Sequence, residues 1–453
     1  MVPLRPALQG ILLTFLSITE IQIPVDFNLY RVYIHSMLKL YNTMSRSVQI
    51  FKPRNGKKVN IFTCGPSIYQ KAHLGNYRTF LYEDLLVRYL LYKGYDVERS
   101  MNLTDIEDKA ISEAKKLRSN VKSITDDVLT IFREGLDGFG FIMPEHLIPA
   151  SGSIEQSVKI IQLLVQKGIA YEYKGDYFFD PLKIKNFGKL FKLDLSRWPE
   201  KKHRFKKDTY SGNRWNLGDF ILWHNHNNDP YHPYWDTDIG RGRPSWNIQD
   251  PAIVTMSLGD QIDINCGGID NIYRHHDYNI AIMEAYTGKD YANYYMHGEH
   301  LFIDGKTMSK SRGNIIYPED LAANGAHWCD IRFFLSYSHY RKKLNYTEAA
   351  FKESTALLHN FRKAVAGIRS DGKTDFTELA DEVDSLTDSI PAVFNNALNN
   401  DLALGTGFDA VFGIIRKLNK ISREKPFPNR TIKRINTYLK KIDNVLNVIF
   451  PIN

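Results

Sequence analysis

A strand, a turn, a helix and a second strand follow one another early in the chain, and this order restricts the fold more than any other feature. Residues 59–63 (VNIFT) form a β-rich stretch that ends in the turn Cys64-Gly65-Pro66. Apolar residues then recur at helical spacing from Leu81 to Leu90, Gly94 ends that pattern, and residues 96–101 again resemble a strand. This alternation is typical of a parallel α/β sheet with crossover helices, which is the fold class that we predict.

The remainder of the chain divides into further parts. Residues 115–215 mix helical periodicity with short strand-like runs, which indicates an insertion within the α/β domain. After residue 345 apolar residues recur in helix-like clusters, so we predict an α/β domain over 37–345 and a helical domain over 346–453. Residues 416–441 carry ten basic residues and one acidic residue, a charge that fits either a polyanion-binding face or a merely solvated one.

Composition excludes several protein classes. Hydrophobic residues make up 43% of the chain, which rules out wholesale disorder and fibrous architectures, and no apolar run reaches the roughly 18 residues of a membrane span. Three scattered cysteines are too few for a disulfide framework, so we expect a reducing, cytoplasmic location. The apolar run 7–18 fits either an extension or a targeting signal, and residues 1–36 are left out of the fold argument.

The first segment suited to phosphate chemistry lies at the predicted strand-to-helix transition. His73 and Asn76 stand three residues apart where unpaired N–H groups and the positive helix end favour anions. Gly75, which lacks a side chain, would let a ligand approach the backbone. Simple capping of the helix by His73 and Asn76 is the alternative interpretation.

The second such segment is residues 305–314 (GKTMSKSRGN). Its Gly-Lys-Thr piece suggests a P-loop, but that motif requires a glycine at the position of His300, so this interpretation fails. A mobile loop that presents Lys310 to phosphates remains, because an ammonium group stabilises charge that develops on a leaving pyrophosphate.

Together these segments resemble the signature motifs of class I aminoacyl-tRNA synthetases, and the segments between them resemble the cysteinyl-tRNA synthetase family. The first signature is similar to Cys64-Gly65-Pro66 with His73-Leu74-Gly75-Asn76, and the second to Met308-Ser309-Lys310-Ser311. The other similar segments are Asn102–Lys109, Asp219–Trp223, Gly242–Trp246, Gly267–Asp270, His275-His276, and His339–Arg341 with Leu344–Tyr346. The resemblance runs in unbroken order from Met37 to the C terminus.

The resemblance implies a Rossmann-like catalytic domain, an inserted connective segment and a helical tRNA-binding domain. It further implies that ATP, with Mg²⁺, activates an amino acid, most simply cysteine, as its adenylate with release of pyrophosphate, and that the acyl group then moves to the tRNA 3′ end. We expect tRNA, ATP and the amino acid as partners, a monomer, and no membrane association.

The resemblance also implies a set of site residues. His73, Asn76 and Lys310 would act in catalysis. The implied ATP contacts are Gly65, His73, Gly75, Asn76, Gly268, Asp270, Met308, Ser309, Lys310 and Ser311. The implied amino-acid pocket comprises Cys64, Thr104, Trp246 and His275, with a plain core position as the alternative for Trp246.

The family's zinc site is altered in this chain. Its two Cys, one His and one Glu ligands correspond here to Cys64, Asp250, His275 and Asn279. Cys64, Asp250 and His275 can still bind Zn²⁺, because aspartate is an accepted ligand and three protein ligands suffice at an open site, whereas Asn279 is a poor fourth ligand. Cys266 fits either a compensating ligand or a small buried residue.

Three functions follow from these observations. The leading hypothesis is a divergent cysteine–tRNA ligase. The second is a synthetase-derived paralogue that charges a different amino acid or joins cysteine to a non-tRNA amine. The third is a non-catalytic tRNA-binding protein, against which the apparent ATP residues His73, Asn76 and Lys310 argue.

Overall fold

The computed structural model describes residues 37–194, 196, 219–372 and 380–450, so the extension predicted over residues 1–36 lies outside the described residues. The strands are β1 (Lys39–Asn42), β2 (Ser47–Ile50), β3 (Lys58–Thr63), β4 (Asp96–Leu103), β5 (His146–Pro149), β6 (Ala170–Tyr173), β7 (Asp176–Phe179), β8 (Phe220–Asn225), β9 (Gly242–Pro244), β10 (Ile262–Gly268), β11 (Ala292–Gly298), β12 (Leu301–Ile303), β13 (Lys306–Thr307) and β14 (Leu344–Tyr346). The helices are α1 (Leu74–Tyr92), α2 (Asp108–Leu117), α3 (Val121–Phe139), α4 (Ile154–Gln166), α5 (Trp246–Ser257), α6 (Asp277–Thr287), α7 (Pro318–Ala323), α8 (Trp328–Tyr337), α9 (Glu348–Ala366), α10 (Ala380–Leu398), α11 (Leu404–Glu424) and α12 (Asn429–Leu446).

A five-stranded parallel sheet forms the centre of the molecule. Its strand order is β11-β10-β3-β4-β5, and every neighbouring pair is parallel. The predicted strands at residues 59–63 and 96–101 correspond to β3 and β4, and the predicted α/β class is confirmed. The chain runs from β3 outward to β4 and β5 and later returns to the other side of β3 with β10, which creates a switch point between β3 and β10.

Helix α1 connects β3 to β4 and is buried along most of its length. The apolar residues that predicted it, Leu81, Leu85, Leu86, Tyr89 and Leu90, are all buried. Gly94 follows the helix with a φ of 82°, a left-handed conformation that glycine adopts without strain. The chain can therefore turn directly from α1 into β4.

The predicted insertion contains a second, antiparallel sheet. Strands β6, β7, β8 and β9 pair in sequence order, so this sheet extends past residue 215 to Pro244. Part of the predicted insertion, residues 197–215, lies outside the described residues. The sheet packs through Phe179, Phe220 and Trp223 against the helices beside the central sheet.

After β14 the described elements are all helical, as predicted. The boundary predicted after residue 345 falls inside β14, because Asn345 and Tyr346 pair with Phe302 and Ile303 of β12. One continuous apolar cluster includes residues of the central sheet, such as Ile264 and Met296, together with residues of α10 to α12. Within the described part of the chain, no helix is long and apolar enough to cross a lipid bilayer.

Gly65, directly after β3, is required by the close approach of β4. A Cβ atom at Gly65 would lie 1.8 Å from the backbone carbonyl oxygen of Asn102. The Gly65 N–H also donates a 2.7 Å hydrogen bond to Asn102 Oδ1. This contact joins the ends of two neighbouring strands.

We expect Gly65→Ala to lower the free energy of unfolding by about 2 kcal/mol, because the added methyl group must displace a strand backbone. The matched control is Gly413→Ala in α11, where a Cβ meets no atom within 4 Å and which should stabilise the helix by up to about 1 kcal/mol. Urea unfolding of both variants measures these changes. Equal effects of the two substitutions would contradict the assigned contact.

Candidate active site

A cavity of about 660 Å³ opens at the carboxyl ends of β3, β4 and β10. This is where an open parallel sheet with a switch point places its ligands. The residues predicted from sequence that line it are Cys64, Gly65, His73, Asn76, Thr104, Trp246, Gly268, Asp270 and His275. Met308 and Ser309 line an adjoining cavity of about 610 Å³, which His73 also borders.

His73 and Asn76 fix the start of α1 by a reciprocal pair of hydrogen bonds. The Asn76 N–H donates to His73 Nδ1 at 3.3 Å, and the His73 N–H donates to Asn76 Oδ1 at 3.0 Å. Burial lowers the pKa of His73, so its ring is neutral near pH 7 and carries its proton on Nε2. Capping and ligand binding are therefore compatible, because the Nε2–H remains available beside a helix N-terminus that favours anions.

The loop that carries Met308 packs against the start of α1. A Cβ at Gly75 would lie 2.6 Å from the Met308 terminal methyl carbon, so the Met308 side chain packs beside this glycine, and the predicted ATP contact of Gly75 stays a prediction. Asn314 closes the loop by accepting a 2.9 Å hydrogen bond from the Ser309 N–H, and Ser309 and Ser311 hydroxyls lie 3.2 Å apart. Lys310 opens the short turn Lys310–Arg312, and its side chain lies outside what the structure describes.

A thiol, an imidazole and a carboxylate form a chain of contacts at the same cavity, which Cys64 and His275 line. Cys64 Sγ lies 3.4 Å from His275 Nε2, which lies 2.7 Å from Asp250 Oδ2. Asn279 Nδ2 donates to the same Asp250 oxygen at 2.9 Å. The structure thus brings together all four positions of the altered zinc site, although they come from the end of β3, from α5, from the turn before α6 and from α6.

Cys64 and His275 lie close enough together to bind one divalent cation, whereas Asp250 contacts the same His275 nitrogen and lies outside the group of donor atoms found within 4.8 Å of one another. Burial raises the pKa of the Cys64 thiol, and the carboxylates of Asp250, Glu83 and Asp270 raise it further. A thiol in this position becomes a thiolate only if a cation compensates its charge. Asp250 Oδ1 is buried and has no hydrogen-bond partner among the described residues, so it remains available to such an ion. Asn279 is committed to Asp250 through its amide N–H, which makes it a support for the carboxylate.

His276 brings a second imidazole nitrogen to this group. One donor atom from each of Cys64, His275 and His276 lies within 4.8 Å of the other two. His276 Nδ1 lies 2.8 Å from His297 Nε2, and His297 Nδ1 lies 2.8 Å from Thr43 Oγ1. This buried row of polar groups fixes the ring of His276, whose Nε2 has no hydrogen-bond partner within the part of the chain that the structure describes.

The remaining predicted pocket residues differ in placement. Trp246 is 42% exposed and its ring centroid lies 4.7 Å from that of His275, so the alternative of a core tryptophan is wrong. Cys266 is fully buried and is outside the described metal-ligand group, which favours the small buried residue over a compensating ligand. Asp270 Oδ1 would lie 2.5 Å from a Cβ at Gly268, so Gly268 makes room for this carboxylate.

Sequence reasoning did not single out several charged residues that line the cavity. Glu107, Lys109 and Arg243 all do so, and Arg243 forms an ion pair with Asp108. Burial raises the pKa of Glu107, while a hydrogen bond from Ser67 opposes that change. These charged residues lie in segments 102–109 and 242–246, which are among the segments that resemble the family. The sequence could therefore have identified them as candidate site residues.

Comparison with known proteins agrees with this geometry. The family model described as the catalytic domain of class I tRNA synthetases (C) matches residues 50–356. The chain is 36% identical over 419 residues to the cysteine–tRNA ligase of Chlamydia pneumoniae, covering 91% of this chain and 86% of that protein. It is 32% identical over 410 residues to the cysteine–tRNA ligase of Brachyspira hyodysenteriae, covering 90% and 85%.

Two solved structures share the fold. Methionyl-tRNA synthetase of Mycobacterium tuberculosis in complex with methionyl-adenylate superposes with a TM-score of 0.61 at 13% identity, over 87% of this chain and 90% of that chain. A putative arginyl-tRNA synthetase of Campylobacter jejuni gives a TM-score of 0.59 at 13% identity, over 88% and 94%. At this identity the likeness bears on the fold alone.

The buried His297 makes stability depend on pH. Burial, with a smaller contribution from Arg46, lowers the pKa of His297 to about 3, so this imidazole protonates in the unfolded chain but not in the folded one as the pH falls below about 6.5. His297 should therefore cost about 1 kcal/mol of stability between pH 7.5 and 5.5. Urea unfolding at both pH values measures this change: the free energy of unfolding of His297→Gln should fall by about 1 kcal/mol less than that of the wild type. An identical loss in variant and wild type would contradict this assignment.

Proposed function

This chain belongs to the cysteinyl-tRNA synthetase family, and from that premise we propose that it uses ATP to activate cysteine and transfers the cysteinyl group to the 3′ end of its tRNA. One observation carries the proposal beyond family membership. His73 and Asn76 at the start of α1 line the same cavity as Cys64 and His275, and His275 in turn contacts Asp250. The Met308 loop packs against that helix start. We infer that the ATP phosphates bind beside the start of α1 and that the substrate thiol binds beside Cys64 and His275, within the same cavity of about 660 Å³.

The phosphate side works by positioning and charge. ATP, entering with Mg²⁺, places its phosphates at the α1 N-terminus, where the neutral His73 ring donates from Nε2 and Asn76 holds that ring. The cysteine carboxylate oxygen attacks the α-phosphorus, the bond to the β-phosphate bridging oxygen breaks, and pyrophosphate leaves. Lys310 stabilises the charge that develops on this leaving group.

The nucleoside lies toward the end of β10. Gly268 carries no side chain and lines the cavity, while Asp270 beside it offers a carboxylate to the ribose hydroxyls. A terminal ribose hydroxyl of the tRNA then attacks the cysteinyl carbonyl carbon, and AMP leaves.

The thiol side recognises the amino acid. Cys64, Asp250 and His275 would hold Zn²⁺, which when bound supplies a soft Lewis-acid partner for the substrate thiolate. Asn279 orients Asp250, Thr104 lines the pocket, and Trp246 packs beside His275 and limits the space for the side chain.

The helical region supports tRNA as the acceptor. Eight basic residues of α11 and α12 are exposed: Arg416, Lys417, Lys420, Arg423, Arg430, Lys433, Lys440 and Lys441. Lysine and arginine side chains on one domain are the means by which proteins bind phosphate backbones, with an affinity that falls as salt rises. A monomeric state, a cytoplasmic location and a division into domains after residue 345 stay predictions.

A second candidate rests on the altered metal ligands. Asp250 supplies oxygen where the family has sulfur, which weakens selection of the substrate by its bond to zinc. The second candidate is therefore a paralogue that uses the same ATP-binding residues but charges another amino acid or joins cysteine to a different amine. Activation measured across all amino acids separates this candidate from the main proposal.

ATP–pyrophosphate exchange tests the function directly. We expect cysteine-dependent exchange in the purified protein and a loss on the order of a hundredfold in Lys310→Ala, because the lysine stabilises charge in the transition state. Lys306→Ala, which removes an exposed lysine four residues earlier, is the matched control and should retain exchange. No exchange with any amino acid would refute the enzyme, and exchange with an amino acid other than cysteine would favour the paralogue.

Cobalt(II) substitution tests the metal ligands independently of activity. The Co²⁺-loaded protein should show a sulfur-to-metal charge-transfer band that is lost in Cys64→Ser and kept in Cys329→Ser, because only Cys64 lies in the ligand group. A band that survives in Cys64→Ser would place the thiolate ligand elsewhere. Full cysteine-dependent exchange after removal of zinc, with Mg²⁺ still present for ATP, would reject zinc-based recognition of the thiol.

A further inference from the structure

Asp401 is a buried carboxylate in the connection between α10 and α11, at the junction of the helical region and the central domain. Its Oδ1 accepts hydrogen bonds from the Tyr340 hydroxyl at 2.7 Å and from the Tyr41 N–H at 2.8 Å. Its Oδ2 accepts from Arg341 Nε at 2.6 Å, and the Arg341 guanidinium also lies 4.3 Å from the Tyr41 ring centroid. Asp401 thus binds two separate segments of the central domain at once.

Tyr340 carries this connection inward. Its ring stacks on that of Tyr82, with centroids 5.0 Å apart and an interplanar angle of 22°. Both rings are buried, Tyr82 within α1 and Tyr340 in the segment between α8 and β14. The position of the Tyr82 ring therefore depends on where Asp401 holds Tyr340.

The Tyr82 hydroxyl lies beside Gly267, near the part of the cavity that we assign to the nucleotide. Its hydroxyl accepts from the Gly267 N–H at 3.0 Å and lies 2.8 Å from the Gly267 carbonyl oxygen and 3.0 Å from that of Met296, either of which can accept its proton. A Cβ at Gly298 would lie 2.7 Å from this ring, so the tyrosine fits between the ends of β10 and β11 only because a glycine stands there. Gly267 leads directly into Gly268, which lines the cavity.

We infer that Asp401 and Tyr340 are positioning residues for the nucleotide pocket, acting through Tyr82 on the backbone of Gly267 and Gly268. The inference rests on the proposed function, because it assigns the Gly268 side of the cavity to ATP. Neither Asp401 nor Tyr340 lines the cavity, so their effect is to hold the pocket backbone in place. The helical region then contributes to ATP binding as well as to the proposed binding of tRNA.

Two variants and a matched control separate this role from general stability. Tyr340→Phe removes the hydroxyl and keeps the stacked ring, and Asp401→Asn keeps the shape and removes the charge. The control is Tyr337→Phe, whose hydroxyl bonds Asp409 of α11 at 2.9 Å and so also joins the two regions, but whose ring packs on Phe333 and Phe408.

Equilibrium binding of ATP with Mg²⁺ is the primary measurement. We expect the dissociation constant for ATP to rise about fivefold in Tyr340→Phe and Asp401→Asn, which corresponds to about 1 kcal/mol, and to stay within twofold of wild type in Tyr337→Phe. In exchange assays the KM for ATP should rise while the KM for cysteine changes less than twofold. Thermal unfolding of all three variants identifies any loss that comes from stability alone.

The outcomes are distinct. Wild-type ATP affinity in Tyr340→Phe and Asp401→Asn, or an equal rise in the control, would overturn the positioning role. Equal increases in the KM for ATP and for cysteine would also overturn it, because the effect would then not be confined to the nucleotide side. Wild-type protein that binds ATP but exchanges no amino acid would refute the proposed function, while the comparison of ATP affinities would still test the positioning role.

Discussion

The parallel pairing of β3 with β4 and β10 is the constraint on which the rest of the site depends. All strands of a parallel sheet end at the same edge, so Cys64, Thr104 and Gly268 lie around one cavity although up to about two hundred residues separate them. The connections that leave β3 and β10 lead to opposite sides of the sheet, and this leaves a gap at the edge for a ligand. Helix α1 begins at the same place, which adds its N-terminal N–H groups and the reciprocal bonds of His73 and Asn76.

Local features of this arrangement could be predicted from the sequence because they depend on short-range spacing. The β-rich run 59–63 and the apolar period from Leu81 to Leu90 specify β3 and α1 without knowledge of distant residues. Motif residues were found in the same way, since each motif surrounds the end of one strand or the start of one helix. The sequence did not indicate that the side chain of the distant Met308 packs beside Gly75.

Contacts between residues far apart in the sequence could not be predicted, because they depend on how elements pack. The bond from Asn279 to Asp250 requires α5 to pack against α6, and the contact of His276 with His297 requires the end of β11 to lie beside the turn before α6. One consequence concerns charge. The family's set of two thiolates and one carboxylate carries three negative charges, whereas Cys64 and Asp250 carry two, and the carboxylate has moved from the α6 position to the α5 position. The residues present would neutralise less of the charge of an ion bound here, so the protein would hold that ion less tightly.

The apolar cluster that runs from the central sheet into α10, α11 and α12 has a consequence for how the molecule can be divided. The elements change from mixed to helical after β14, but the hydrophobic core continues across this boundary. Ile264 and Met296 of the central sheet belong to one cluster with residues of the helical region, namely Phe394, Leu418 and Leu439. A fragment that ended at β14 would expose part of its own interior to water, at a cost of about 25 cal/mol for each Å² uncovered. The two regions are therefore expected to form one cooperative unit, so the helical region could be lost in evolution only together with a redesign of the surface that it covers.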